Sequence, residues 1–104
     1  MYFQMILHGE KTFEGRVAKP KYKALRMGQR IHFQSAETKD QCERSIASIA
    51  TFDSFNSMLE TLGIRPFLGD TAKNLEEGCA VYHAFPGYKE DEKTSGVVAI
   101  QLQA

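Results

Sequence analysis

The sequence predicts one α+β domain whose sheet curls into a small β-barrel with helices at one side. Three observations carry that prediction. The runs "TFEGRV" and "QRIHFQS" alternate apolar and polar residues as half-buried strands do. The stretch between Phe55 and Leu62 spaces its apolar residues as a helix does. The chain closes on "GVVAIQL", an apolar-rich run that reads as a terminal strand.

Taken in order, Tyr2 to Leu7 reads as a short helix stopped at Gly9, since glycine accepts the left-handed conformation that ends helices. The next segment is a strand. Its Phe13, Gly15 and Val17 take one face, while Thr12, Glu14 and Arg16 take the other. Lys11 belongs by parity with Phe13, but at the strand's first position it can bend out into a cleft. Lys19 to Arg30 reads as a loop containing Pro20, with a Leu25–Met27 turn closed by Gly28. In the second strand Ile31 and Phe33 alternate against Arg30, His32 and Gln34. After the polar turn "ETKDQ", Cys42 to Phe52 reads as a long strand carrying Ile46, Ile49 and Phe52.

Asp53 is the expected N-cap of a helix with Phe55, Met58, Leu59 and Leu62 on one side, closed by Gly63. "IRPFLGD" reads as a loop. A second helix is expected from about Thr71 to Phe85, with Leu75, Cys79 and Tyr82 on one stripe and Pro86-Gly87 ending it. "YKEDEKTS" reads as a charged loop into the last strand. No internal repeat and no boundary divides residues 1–104, so a single domain is expected.

Composition excludes several classes. With 42% hydrophobic and 25% charged residues the chain fits one globular core. No stretch approaches the roughly 18 consecutive apolar residues of a membrane span. The start "MYFQMILHGE" lacks the basic region of a secretory signal, so a cytoplasmic location is expected, or a nuclear one in a eukaryote. Cys42 and Cys79 form no close pair, and His8, His32 and His83 are scattered; two free thiols, no metal and no cofactor are expected.

The formal net charge is zero, but it is unevenly spread. Lys19, Lys21, Lys23, Arg26 and Arg30 follow one another without an acid between them, while later segments lean acidic. Such a run attracts phosphate, or it is a solvated loop. Beside it, Arg16 can pair with phosphate through its planar fork, Glu14 can accept from a base amino group, Thr12 can do either, and Lys11 adds a point charge. Lys11, Thr12, Glu14, Arg16, Lys19, Lys21, Lys23 and Arg26 are the residues that would contact a nucleic acid if the strand lines a site and not merely a solvated face. Tyr22, Tyr82 and Tyr88 are candidates for base stacking, although Tyr82 also fits the core stripe of its helix. Glu14 and Arg16, two apart on one face, also fit a plain ion pair pinning the barrel. His8 and His83 are expected at helix surfaces.

Four motifs in order resemble a known family. "FQMILHGEKTFEGRV" resembles the helix-then-GxKTxExR opening of ASCH domains, members of the PUA-like superfamily. "MGQRIHF" resembles their GDxIxF strand, with Gln29 in place of the acid. "TFDSFNSML" resembles their helix entry, and "YHAFPGYKEDEKTSGVVAIQL" their closing segment. The resemblance spans nearly the whole chain and implies a PUA-like barrel with a cleft that holds RNA or a modified nucleoside. Family members usually carry a further strand before the first helix. Here the helix comes almost at once, which is expected to leave a barrel edge uncovered and open to self-association.

One branch of the family resembles acetylcytidine amidohydrolases, which use a lysine, a threonine and a glutamate. By position the lysine falls on Lys11, the threonine on Glu14 and the glutamate near Ser54. A hydrolase built from the residues present would use a rearranged trio. Lys11, its pKa lowered by burial beside Arg16, would be base or nucleophile; Glu14 would pass the proton; Thr12 would donate to the oxyanion. A third expectation, drawn from the family's resemblance to parts of transcription coactivators, is a protein-interaction module docking through Lys89 to Lys93.

Overall fold

Alternating strands and capped helices assemble around a sheet that separates two apolar clusters. The structure is a computed structural model that describes residues 2–103. Along it run α1 (Tyr2–Leu7), β1 (Phe13–Val17), α2 (Pro20–Lys23), β2 (Arg30–Gln34), β3 (Gln41–Phe52), α3 (Phe55–Leu62), α4 (Arg65–Leu68), α5 (Leu75–His83), α6 (Tyr88–Ser95) and β4 (Val97–Gln103). The strands form one antiparallel sheet in the order β1-β4-β3-β2, curled into a half-barrel. A register shift between Ile46 and Ser48 interrupts the pairing of β3 with β4, and a bulge of this kind bends a long strand.

The two faces follow the parity of β1 and β4. Val17, Val97 and Ala99 pack with Phe55, Met58, Leu59, Phe67 and Tyr82 beneath α3, α4 and α5. Ala18, Ile46, Val98, Ile100 and Leu102 form the inner cluster of the curl, closed by Ile6 of α1. Gly15 has a specific steric reason. A Cβ there would come within 2.8 Å of Met58 Cε and 2.9 Å of the Tyr82 hydroxyl, so its absence lets β1 lie directly on the helix layer.

The four strands, α1 and α3 match the sequence expectation; other elements differ. The N-cap of α3 is Ser54, not Asp53: the Ser54 hydroxyl accepts from the Ser57 amide at 3.0 Å. The helix expected from Thr71 starts at Leu75, because the Asn74 side chain caps it by accepting from the Glu77 amide at 2.8 Å. Within the basic segment the helical turn is Pro20–Lys23 rather than Leu25–Met27, with proline in the first turn where its missing N–H costs nothing. Residues 65–68, expected as loop, form the single-turn α4.

The largest departure is α6, which the sequence presents as a charged loop. Its segment has no apolar stripe, and tertiary contacts hold it instead. Glu92 accepts from the Phe55 amide at 2.6 Å and pairs with His83 Nε2 at 2.9 Å, while Asp91 pairs with Lys19 at 3.0 Å. His83 is accordingly half-buried between two helices and not at a free helix surface.

The edge at β1 is also better protected than the sequence suggests. The Leu102 amide bonds to Thr12 and the Ala18 amide to Gly96, which turns the carbonyls of Phe13, Gly15 and Val17 away from β4. Those three outward acceptors are occupied. Phe13 accepts from Lys11 Nζ at 2.8 Å, Gly15 from Arg16 Nη1 at 2.8 Å, and Val17 from the Lys19 amide at 2.8 Å. The acceptors an added strand would need are already in use.

Candidate functional site

The row on β1 begins with Lys11. Its ammonium reaches round the start of the strand to donate to the carbonyls of Phe13 and of Phe67, the latter at 2.6 Å, and it lies 3.4 Å from Glu14 Oε1. Burial pushes its pKa down, Glu14 opposes this, Arg16 adds to it, and the result is a lysine below its ordinary value of 10.5. Glu14 is itself buried and holds Arg16 at 2.6 Å through its other oxygen. Burial works against the Arg16 charge as well, but Glu14, Tyr88 and Tyr22 outweigh it, so the guanidinium is held firmly charged. Glu14 and Arg16 are thus the expected ion pair, with Lys11 as a second cation on the same carboxylate. Two cations against one carboxylate leave the group net positive.

These residues stand at the mouth of two cavities. On the helix side a cavity of about 320 Å³ is bounded by Lys11, Glu14 and Arg16 on one wall and by Val81, Phe85 and Tyr88 on the other. On the barrel side a cavity of about 420 Å³ is bounded by Glu14 and Arg16 together with Tyr22, Ile31 and Phe33. Both lie near the small end of the roughly 300–1,000 Å³ range of ligand pockets. Tyr88 lies flat beside Phe55, centroids 5.8 Å apart and rings 9° from parallel, so the aromatic wall is anchored in the core. Burial pushes the Tyr88 phenol up, which keeps it neutral.

The remaining candidates divide. Thr12 lines neither of these cavities; it lines a further groove that it shares with Lys11, together with Ile6, His8 and Arg44. The reason is local: Thr12 precedes β1, and its backbone bridges Pro66 to Leu102. Lys19 is paired with Asp91, and Lys21 stands 5.2 Å over the Tyr22 ring beside the barrel-side cavity. Lys23 is exposed away from both. The Arg26 guanidinium is turned back on its own loop, donating to the carbonyls of Lys23 and Leu25, each at 3.0 Å. Tyr82 is core: it stacks on Phe55 at 4.3 Å with rings 2° from parallel, and only its edge reaches the helix-side cavity. Phe85 was not legible as a site residue, although an aromatic just before Pro86-Gly87, beyond the apolar stripe of α5, is the signal that marks it. It is 46% exposed at the cavity rim.

Ser54 is spent on its capping bond at the start of α3. Among the described residues no cluster of histidine, cysteine or acidic side chains is placed to hold a metal ion, and no helix is long and apolar enough to cross a membrane.

A half-barrel with a cationic cleft along its edge strand defines a class of small α+β domain. The ASCH domain family matches residues 1–104, and the chain belongs to that family. Two solved structures are similar over 98% of the chain. One is the crystal structure of hypothetical protein PH0355, 34% identical, with a TM-score of 0.86 over 89% of its length. The other is the solution structure of protein PF0455 from Pyrococcus furiosus, 31% identical, with a TM-score of 0.77 over 87% of its length. Comparison with curated proteins finds no match.

Proposed function

We propose that the protein binds RNA or a modified nucleoside in the cleft along β1. The observation that carries this reading is Arg16. It is a charged guanidinium, 36% exposed, aimed by a buried glutamate into a cleft whose opposite wall is the aromatic pair Phe85 and Tyr88. Phosphate and base need that combination, a planar cation beside an apolar aromatic face. Membership of the ASCH family supports it. Lys21 extends the positive field along the barrel side of the cleft. Titration of a single-stranded RNA across a salt series tests the reading. Arg16→Ala is expected to weaken binding and to reduce the slope of log K against log salt by about 1. An unchanged slope would remove phosphate contact at Arg16.

A second reading, amide hydrolysis on an N-acylated cytidine, is favoured by one observation: a buried lysine with lowered pKa sits 3.4 Å from a buried carboxylate. Thr12 lies outside the helix-side cavity but shares a groove with Lys11, so in this reading an oxyanion donor would act from that side of the lysine. With acetylcytidine as substrate, release of acetate that disappears in Lys11→Ala is the outcome this reading requires. Release that persists in the variant would exclude Lys11 chemistry.

A further inference from the structure

The cleft is divided. The Glu14–Arg16 pair lies in the wall of both cavities, and each cavity has its own tyrosine, Tyr88 on the helix side and Tyr22 on the barrel side. Glu14, 7% exposed in its side chain, is occupied by two cations, so the group presented at the junction is the Arg16 guanidinium. Both tyrosines lie close enough to Arg16 to act on its charge. Along the edge the order is aromatic surface, cation, aromatic surface. A single-stranded nucleic acid repeats base, phosphate, base. Each cavity is near the small end of ligand pockets, and the Glu14–Arg16 pair is the lining they share.

Resting on the binding reading above, we infer that the cleft takes two consecutive nucleotides, one base in each cavity and the bridging phosphate on Arg16. The ligand unit is therefore a dinucleotide step and not a lone nucleoside. Lys21, over the Tyr22 ring, adds charge on the barrel side where the chain would continue.

Titration calorimetry with the mononucleotides CMP and AMP and the dinucleotides CpC and ApA tests this. A second stacked base should make each dinucleotide bind about 5- to 150-fold more tightly than its mononucleotide. In Tyr22→Leu that ratio should collapse, whereas Tyr22→Phe, which keeps the ring, should retain it and controls for folding. Equal affinity for mononucleotide and dinucleotide in the parent protein would overturn the divided cleft while leaving the binding reading intact. A large ratio that survives Tyr22→Leu would overturn the barrel-side cavity as the second base site. Binding of a longer single-stranded RNA without binding of either dinucleotide would also overturn it. No binding of any of these, the longer RNA included, would overturn both readings together.

Discussion

Glu14→Gln is expected to destabilise the fold by about 3 kcal/mol, because it removes the shared negative partner of two cations, one of them buried. Lys11 keeps its carbonyl acceptors but loses its counter-charge, and Arg16, partly in water, loses its anchor. For a domain of this size the loss amounts to a fall in melting temperature of about 12–24 °C. The companion variant isolates the cause. Lys11→Met combined with Glu14→Gln removes the stranded buried charge along with the carboxylate, so the double variant should melt above Glu14→Gln alone. Additive losses would mean that the pair is not coupled, and the central group would then be three independent side chains.

Phe55→Ala should be at least as severe. Phe55 is fully buried, stacks on Tyr82 at 4.3 Å, and lies parallel to Tyr88. Truncating such a ring costs about 3–5 kcal/mol, comparable with the whole stability of a small domain. The loss is also expected to reach the cleft, since Tyr88 and α6 rest on this ring and on the Phe55 amide held by Glu92. Denaturant unfolding measures the first effect. A cost below about 1.5 kcal/mol, the range of tolerated apolar swaps, would show that the core closes over the gap and that α6 does not depend on it.

The sequence made some of this visible and hid the rest for identifiable reasons. Strand alternation is a local property, so β1 and β2 could be read directly, and with them the shared face of Glu14 and Arg16. The bend of Lys11 was readable because a lysine has the length to leave its parity face. It stands two residues before β1, however, and not at the strand's first position as the alternation suggested. Thr12 shares the parity of Glu14 but lies outside β1, where it lines a groove with Lys11, α1 and Arg44 rather than the two cavities beside Arg16. α6 could not be read, because Glu92 meets the Phe55 amide and His83 only after the chain has folded. The basic segment could be read as a phosphate track or as a solvated loop. In the fold Lys19 is committed to Asp91 and Arg26 to its own loop, which leaves Lys21 as the lysine of this segment that lines a cavity beside Arg16.

In the binding reading the edge strand serves both the fold and the site. Lys11 and Arg16 both cover outward carbonyls of β1 and both line the helix-side cavity. The same side chains that keep the edge from pairing with another strand thus make it cationic. Replacing them would expose strand acceptors as well as remove charge, so loss of binding in such variants must be read beside a measurement of self-association in parent and variant.

Amide chemical-shift mapping of the protein titrated with a single-stranded RNA tests the location of the cleft most directly. The expected result is a contiguous set of perturbed amides along β1 from Phe13 to Val17, with Tyr22 on one side and Phe85 and Tyr88 on the other. Perturbation centred on β2 and the outer half of β3, with β1 silent, would contradict it and move the nucleic-acid surface to the opposite edge of the sheet.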